Sequence, residues 1–368
     1  MEAARAIREG IRETISNASV VIKPLADGGE GTVATFVEGI GAKKVELDVT
    51  GPLGKIVRCF YGVIEESGTA IIEIAAAAGL TQVPDSLKNP LNTTSYGVGE
   101  IIKDALNRGL RKFIVGIGGS ATNDCGIGML KALGFTFLDK KRREVEGFGR
   151  DVAKIEAISS LRADPRLQEC DFRIACDVNN PLYGEKGAAV VFGPQKGATE
   201  EIIQELDKGL FHFSQVVEKE YGLDLAKIPG AGAAGGLGYA FSTFLGGRLE
   251  PGISLILDMV GLEPELADAD IVITGEGKLD FQTSMGKAPV GVAKMAKKYH
   301  CKVIAFAGAV TPEAEECNKE GIDAYFPIIQ RPMKAAEAME KETAYLNLKA
   351  TVKQVFRLVN CYNDNAVK

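Results

Sequence analysis

The stretch "TGEGKLDFQTSMGKAP" (Thr274 to Pro289) gathers most of what a group-transfer reaction needs. Glu276 and Asp280 are carboxylates, Lys278 and Lys287 are cations, and Gly, Thr and Ser stand between them. A carboxylate can take a proton from an attacking hydroxyl or hold a hard metal ion, and a lysine can neutralise phosphate charge. The spacing is not that of a Walker loop. The run from Gly277 to Gly286 is too long for G-x-x-x-x-G-K-[ST], and Ala288 follows the lysine. A second acidic turn, "DGGEGT", carries Asp27. Asp27 and Asp280 compete for the base role. Glu276 is a metal candidate, as is Asp177 in "CDVNNPLYG".

Two glycine-rich segments could hold anions. In "GIGGSATNDCGIGMLKALG" (Gly116 to Gly134), Gly119, Ser120, Asn123 and Asp124 precede an amphipathic run. One of the polar residues is expected to cap that helix, and the cluster exceeds what a cap needs. The sharper reading is phosphate or hydroxyl binding. In "GAGAAGGLG" (Gly230 to Gly238), Gly235 and Gly236 open a helix. Free backbone N–H groups there could cradle an anion, and a tight helix contact explains the glycines equally well. The segment contains G-x-G-x-x-G, but Pro229 breaks the strand that a dinucleotide fingerprint requires.

These residues sit where short apolar runs end. "VVIKPLA", "KFIVGIGGS", "FRIACDVNN", "ADIVITGEG", "KVIAFAGAV" and "DAYFPII" each read as a strand, most of them followed by a turn and helical periodicity. That is the grammar of an α/β protein with parallel strands, whose ligands collect at the carboxyl ends. "KKVELDVTGPLGKIVRCFYGVIEESGTAIIEIAAA" (Lys43 to Ala77) differs. Its period-two alternation and Pro/Gly turns predict an antiparallel meander and the start of a second domain. The stretch from Lys334 to Leu358 reads as an amphipathic helix.

The length of 368 residues suits two domains, and the net charge is -6. Without a basic block, nucleic acid is not an expected partner; "KKRRE" (Lys140 to Glu144) reads as a solvated turn. Seven cysteines without a C-x-x-C pair, and two histidines, argue against a zinc site and for reduced thiols in the cytoplasm. No apolar run has the length of a membrane span.

In this order, "PLADGGEGT", "GGSATNDCGIGML", "CDVNNPLYG", "GAAGGLG" and "ITGEGKLDFQTSMGKAP" resemble the bacterial-type glycerate kinases, from Met1 to about Ile329. The resemblance implies a flavodoxin-like domain (residues 1–45 and 260–368) with a mixed-sheet α/β domain (46–259) inserted in it. It implies transfer of the γ-phosphate of ATP, with Mg2+, to D-glycerate, at the 2-hydroxyl; the chain is expected to act as a monomer or homodimer. Gly119, Ser120, Asn123, Asp124, Gly235 and Gly236 are then candidates for ATP or glycerate oxygens, and Lys287 for phosphate charge. Family members carry one more strand and an A-P-D-S-F-K loop ahead of the first helix, which this chain lacks. The expectation is a first domain without its central strand, with impaired activity. A dehydrogenase using the glycine motif, or a non-catalytic sugar-acid binder, is the alternative.

Overall fold

The computed structural model describes residues 2–25, 33 and 41–365, so Asp27 lies outside the described residues. In chain order the elements used below are α1 (Glu2–Arg12), β1 (Lys43–Thr50), β2 (Ile56–Ile64), β3 (Thr69–Glu73), α2 (Tyr96–Asn107), β4 (Lys112–Gly116) and α3 (Ile127–Ala132). There follow β5 (Thr136–Asp139), β6 (Ile155–Ser159), β7 (Asp171–Ala175), α4 (Glu200–Tyr221), α5 (Ala233–Phe244) and β8 (Arg248–Glu250). The last are β9 (Ile271–Leu279), α6 (Ala288–Lys298), β10 (Lys302–Val310), β11 (Ala324–Pro327) and α7 (Lys341–Asn365). Contacts divide the chain into two compact units: Met1–Asp27 with Ile256–Lys368, and Gly28–Leu255. The expected boundaries lay at 45/46 and 259/260.

The continuous unit is built on a six-stranded sheet in the order β1-β2-β3-β4-β7-β8. The expected meander is there: β1, β2 and β3 pair antiparallel, turning first through Gly51 and Gly54 and then through Glu65 to Gly68. From β3 onward the pairing is parallel. Mixed pairing follows from the connections, because tight turns return the chain antiparallel and helical crossovers return it parallel. Phe113 of β4 stacks on Phe172 of β7 at 4.6 Å between centroids, and Phe172 meets Phe241 of α5. Helix α4 starts at Thr199, whose hydroxyl accepts from the Ile202 amide, and ends at Gly222 with φ 67. Its buried side, Ile203, Leu206, Leu210, Phe213 and Val217, keeps helical spacing.

The other unit holds a parallel sheet in the order β11-β10-β9. α1 and α7 cover one face, where Ala6, Ile11, Val352 and Phe356 pack with Ile304 and Phe306. Gly10 lets the helices approach: a Cβ there would lie 2.7 Å from the Lys349 carbonyl oxygen. Lys349 pairs with Glu9 and Glu13, and Lys353 with Glu13. Three expectations need correction. Residues 20–25, "VVIKPL", form no strand. The sheet β11-β10-β9 gives them no partner among the described residues, Pro24 has no amide to donate, and a lone strand has no ladder to hold it. Conversely, β9 does not stop at the glycines but runs to Leu279, because Ala309 and Val310 of β10 pair with Lys278 and Leu279. The expected C-terminal helix from Lys334 is two helices, Ala335–Ala338 and α7. No helix among the described residues is long and apolar enough to cross a membrane.

Candidate active site

In the discontinuous unit, the extension of β9 puts Glu276 and Lys278 on a strand rather than in a loop. Asp280 is the first residue beyond it. Its Oδ1 accepts from the Gln282 amide at 2.9 Å and starts the short helix Phe281–Ser284. The fully buried Thr283 hydroxyl ties the two acids together: it accepts from the Asp280 amide at 3.2 Å and donates to Glu276 Oε1. Lys278 lies 3.3 Å from Asp280 Oδ2. Desolvation pushes the Asp280 carboxyl up, but the Lys278 bond, the Gln282 amide and the charges of Lys278 and Lys287 outweigh it and hold it below the ordinary carboxylate range. Asp280 is therefore ionised at neutral pH. Lys287 is exposed and stands at the start of α6.

In the continuous unit, β4 is followed after Ile117 by an exposed Gly118-Gly119 pair, and the chain then dives inward at Ser120. Gly119 has φ 69. The loop is pinned to the segment before it, by Leu80 N donating to Gly119 O and Ala121 N to Ala78 O, each at 2.8 Å. Thr122 Oγ1 and both polar side-chain atoms of Asn123 are buried without a partner among the described residues. Such orphans are rare in native interiors and call for a cause, such as an ordered water or a ligand.

Asp124 behaves differently. It is fully buried, and its carboxylate accepts from the Ser95 amide and hydroxyl and from the Gly126 and Gly128 amides. Burial pushes its carboxyl up against the pull of those four bonds. Its lone pairs are engaged in tying the start of α2 to the start of α3.

The backbone packed against this loop is left-handed at three successive residues, Ala234, Gly235 and Gly236, with φ 52, 69 and 94. The Gly235 carbonyl accepts from the Cys125 amide at 2.9 Å. A Cβ on Gly235 would sit 2.0 Å from the Thr122 carbonyl oxygen. Gly235 and Gly236 thus let a buried kink close on residues 122–125. Asp177 is exposed beyond β7, with Oδ1 accepting from the Gly252 amide at 2.8 Å.

One residue the sequence reading passed over is Lys196. It is 2% exposed, and its Nζ donates to Ser120 Oγ at 2.8 Å and to the Thr122 carbonyl at 2.7 Å. Burial drives its pKa down to about 7, against the opposing pull of Asp124. The available signal was "FGPQKGA", a lysine fenced by Gly193, Pro194 and Gly197 after an apolar run.

A family profile, the Glycerate kinase family, matches residues 1–360. The chain belongs to the glycerate kinase family. The chain is 46% identical to a glycerate kinase of Halalkalibacterium halodurans over 94% of its own length and 91% of that protein. It is also 46% identical to the glycerate 2-kinase of Escherichia coli K12, over 89% of its own length and 86% of that protein. A crystal structure from Salmonella typhimurium LT2, assigned as glycerate kinase 2, superposes with a TM-score of 0.90 at 43% identity, covering 99% of this chain and 95% of that one. Membership of the glycerate kinase family makes the chain a kinase. The dehydrogenase alternative falls with it, and the fold gives the same answer: no strand leads into Gly230.

Proposed function

We propose that the protein transfers the γ-phosphoryl group of ATP to the 2-hydroxyl of D-glycerate, in the cytoplasm, as a monomer or homodimer. The observation that carries the reading is the 46% identity to a glycerate 2-kinase over most of both chains. Phosphoryl transfer asks a protein for positioning and charge neutralisation more than for covalent chemistry. The arrangement around Thr283 supports such a role. Asp280, held ionised and fixed as a helix cap, accepts the proton of the attacking hydroxyl; Asp27 is the rival for that task. Lys287 offers its exposed ammonium to phosphate oxygens. In the other unit, Gly119 and Ser120 at the end of β4 bind phosphate or glycerate oxygens. Asn123 binds there if the loop opens to admit its amide, and Gly235 and Gly236 shape that loop. Asp124 is best assigned to scaffolding, because its hydrogen-bonding capacity is already used.

Mg2+ fits the donor chemistry. Among the described residues no group of three or more His, Cys, Asp or Glu side chains could hold a metal. Mg2+ is typically bound through one or two carboxylates, water and substrate phosphates. Glu276 would hold it, and Asp177 is the further candidate. When bound, the ion would neutralise charge on the phosphate oxygens.

The test is ADP release by the purified protein on addition of D-glycerate, with 31P NMR of the product. Accumulation of 2-phosphoglycerate is the expected result. No glycerate-dependent ADP release would end the reading, and 3-phosphoglycerate would overturn its regiochemistry.

A further inference from the structure

Three successive amides, those of Gly118, Gly119 and Ser120, make no hydrogen bond with the described residues. They follow the carboxyl end of β4, with Gly119 left-handed. A Cβ built on Gly118 would meet nothing within 4 Å, so there is open space against this backbone. Consecutive free N–H groups around a left-handed residue form an anion-binding concavity. Behind it lies Lys196. Its ammonium is out of water, and it grips the hydroxyl and the carbonyl of the two residues that alternate with Ala121 in the descending loop.

We propose that Lys196 is a positioning residue for a phosphate site at the Gly118–Ser120 amides. It locks Ser120 and Thr122 so that the amides stay splayed outward, and it places a positive charge behind them without presenting a side chain to the ligand. The ligand class is a polyphosphate anion, and the inference rests on the kinase reading above.

The surroundings fit a field directed at that turn. Asp124 acts on the lysine's charge but has its oxygens bound to Ser95, Gly126 and Gly128. Lys88, whose backbone packs against Gly197, sends its own ammonium to Asp85 at 2.6 Å. The Cys125 thiol stays protonated because burial pushes it up. The buried orphans Thr122 Oγ1 and Asn123 Oδ1 and Nδ2 belong to the same loop. An anion arriving at the amides favours the charged lysine. Because burial holds the free group near pKa 7, binding at pH 8 draws a proton onto it.

The experiment compares wild type with Lys196→Met by titration calorimetry with MgATP, without glycerate, at pH 8 in two buffers of different ionisation enthalpy. Wild type is expected to take up a substantial fraction of one proton. The methionine variant is expected to take up none, to bind MgATP at least ~10-fold more weakly, and to be no less stable, since a buried charge replaced by an apolar group of similar size is often neutral or stabilising. The same proton count and affinity in both proteins would overturn the inference. If the variant is destabilised, Ser120→Ala decides. Keeping the lysine while loosening its grip, it should weaken MgATP binding and retain proton uptake; wild-type affinity there overturns the proposal. A wild type that binds MgATP but does not phosphorylate D-glycerate would sink the proposed function and leave this comparison intact.

Discussion

Ser95 gives both its amide and its hydroxyl to a single carboxylate oxygen of Asp124, each at 2.7 Å. Ser95 Oγ accepts in turn from the Met129 amide at 3.0 Å. Ser95 precedes α2 and Met129 lies in α3, so two helix starts share one buried carboxylate. Asp124→Ala strands four donors in the interior. Loss of about 3–5 kcal/mol is expected in chemical unfolding, the usual cost of breaking a buried charged network. Ser95→Ala should lose less, about 1–2 kcal/mol. Near-native stability for Asp124→Ala would refute the scaffolding role.

Asp280→Asn keeps the shape of the helix cap and removes the base. Turnover should fall by about 100-fold or more, with the melting temperature nearly unchanged. Wild-type turnover would hand the role to Asp27.

Thr283→Val removes the hydroxyl shared by Glu276 and Asp280 while keeping volume. Its expected signature is a fall in kcat of roughly 10-fold or more, because carboxylates freed to rotate lose their alignment. A change confined to KM would count against it.

The stability of the continuous unit should depend on pH through Lys196. Its pKa is near 10.5 in the unfolded chain and about 7 when folded, so the unfolded state binds the extra proton between those values. Stability therefore rises with pH from about 7 upward, with a slope approaching ~1.4 kcal/mol per pH unit for this group, and is flat below. Measured between pH 6 and 8.5, the wild-type curve should climb relative to that of Lys196→Met. Parallel curves would contradict it.

Gly235→Ala adds a methyl 2.0 Å from the Thr122 carbonyl oxygen at φ 69. Destabilisation of at least ~1–3 kcal/mol is expected, with weakened MgATP binding because the loop that holds Ser120 must move. Normal stability would mean the kink is not required.

The periodicity made the meander, the parallel βα grammar and the strand-end position of Asp177 and Asp280 legible, because each follows from local pattern, whereas Glu276 lies within β9. Lys196 was not, since a lone lysine reads as surface until the chain between residues 120 and 196 has folded over it. Asp124 looked like a ligand for the opposite reason. Its type and spacing suit an active site, but the partners that absorb it come from Ser95, 29 positions away. β9 overran its expected end because pairing with β10 outweighed two glycines. Long-range pairing decides these cases, and one-dimensional pattern carries no record of it.

The pairing of α1 with α7 has a consequence for biogenesis. Lys349 and Glu9, bonded at 2.9 Å, stand 340 positions apart in sequence. At translation rates of 5–20 residues per second, α1 waits roughly 20–70 s for its partner to be made. Throughout that interval its apolar stripe, Ala6 and Ile11, has no mate, while the intervening continuous unit can complete itself as it emerges. The nascent chain is thus a finished domain flanked by an unfinished one, and its need for chaperones is concentrated at its two ends.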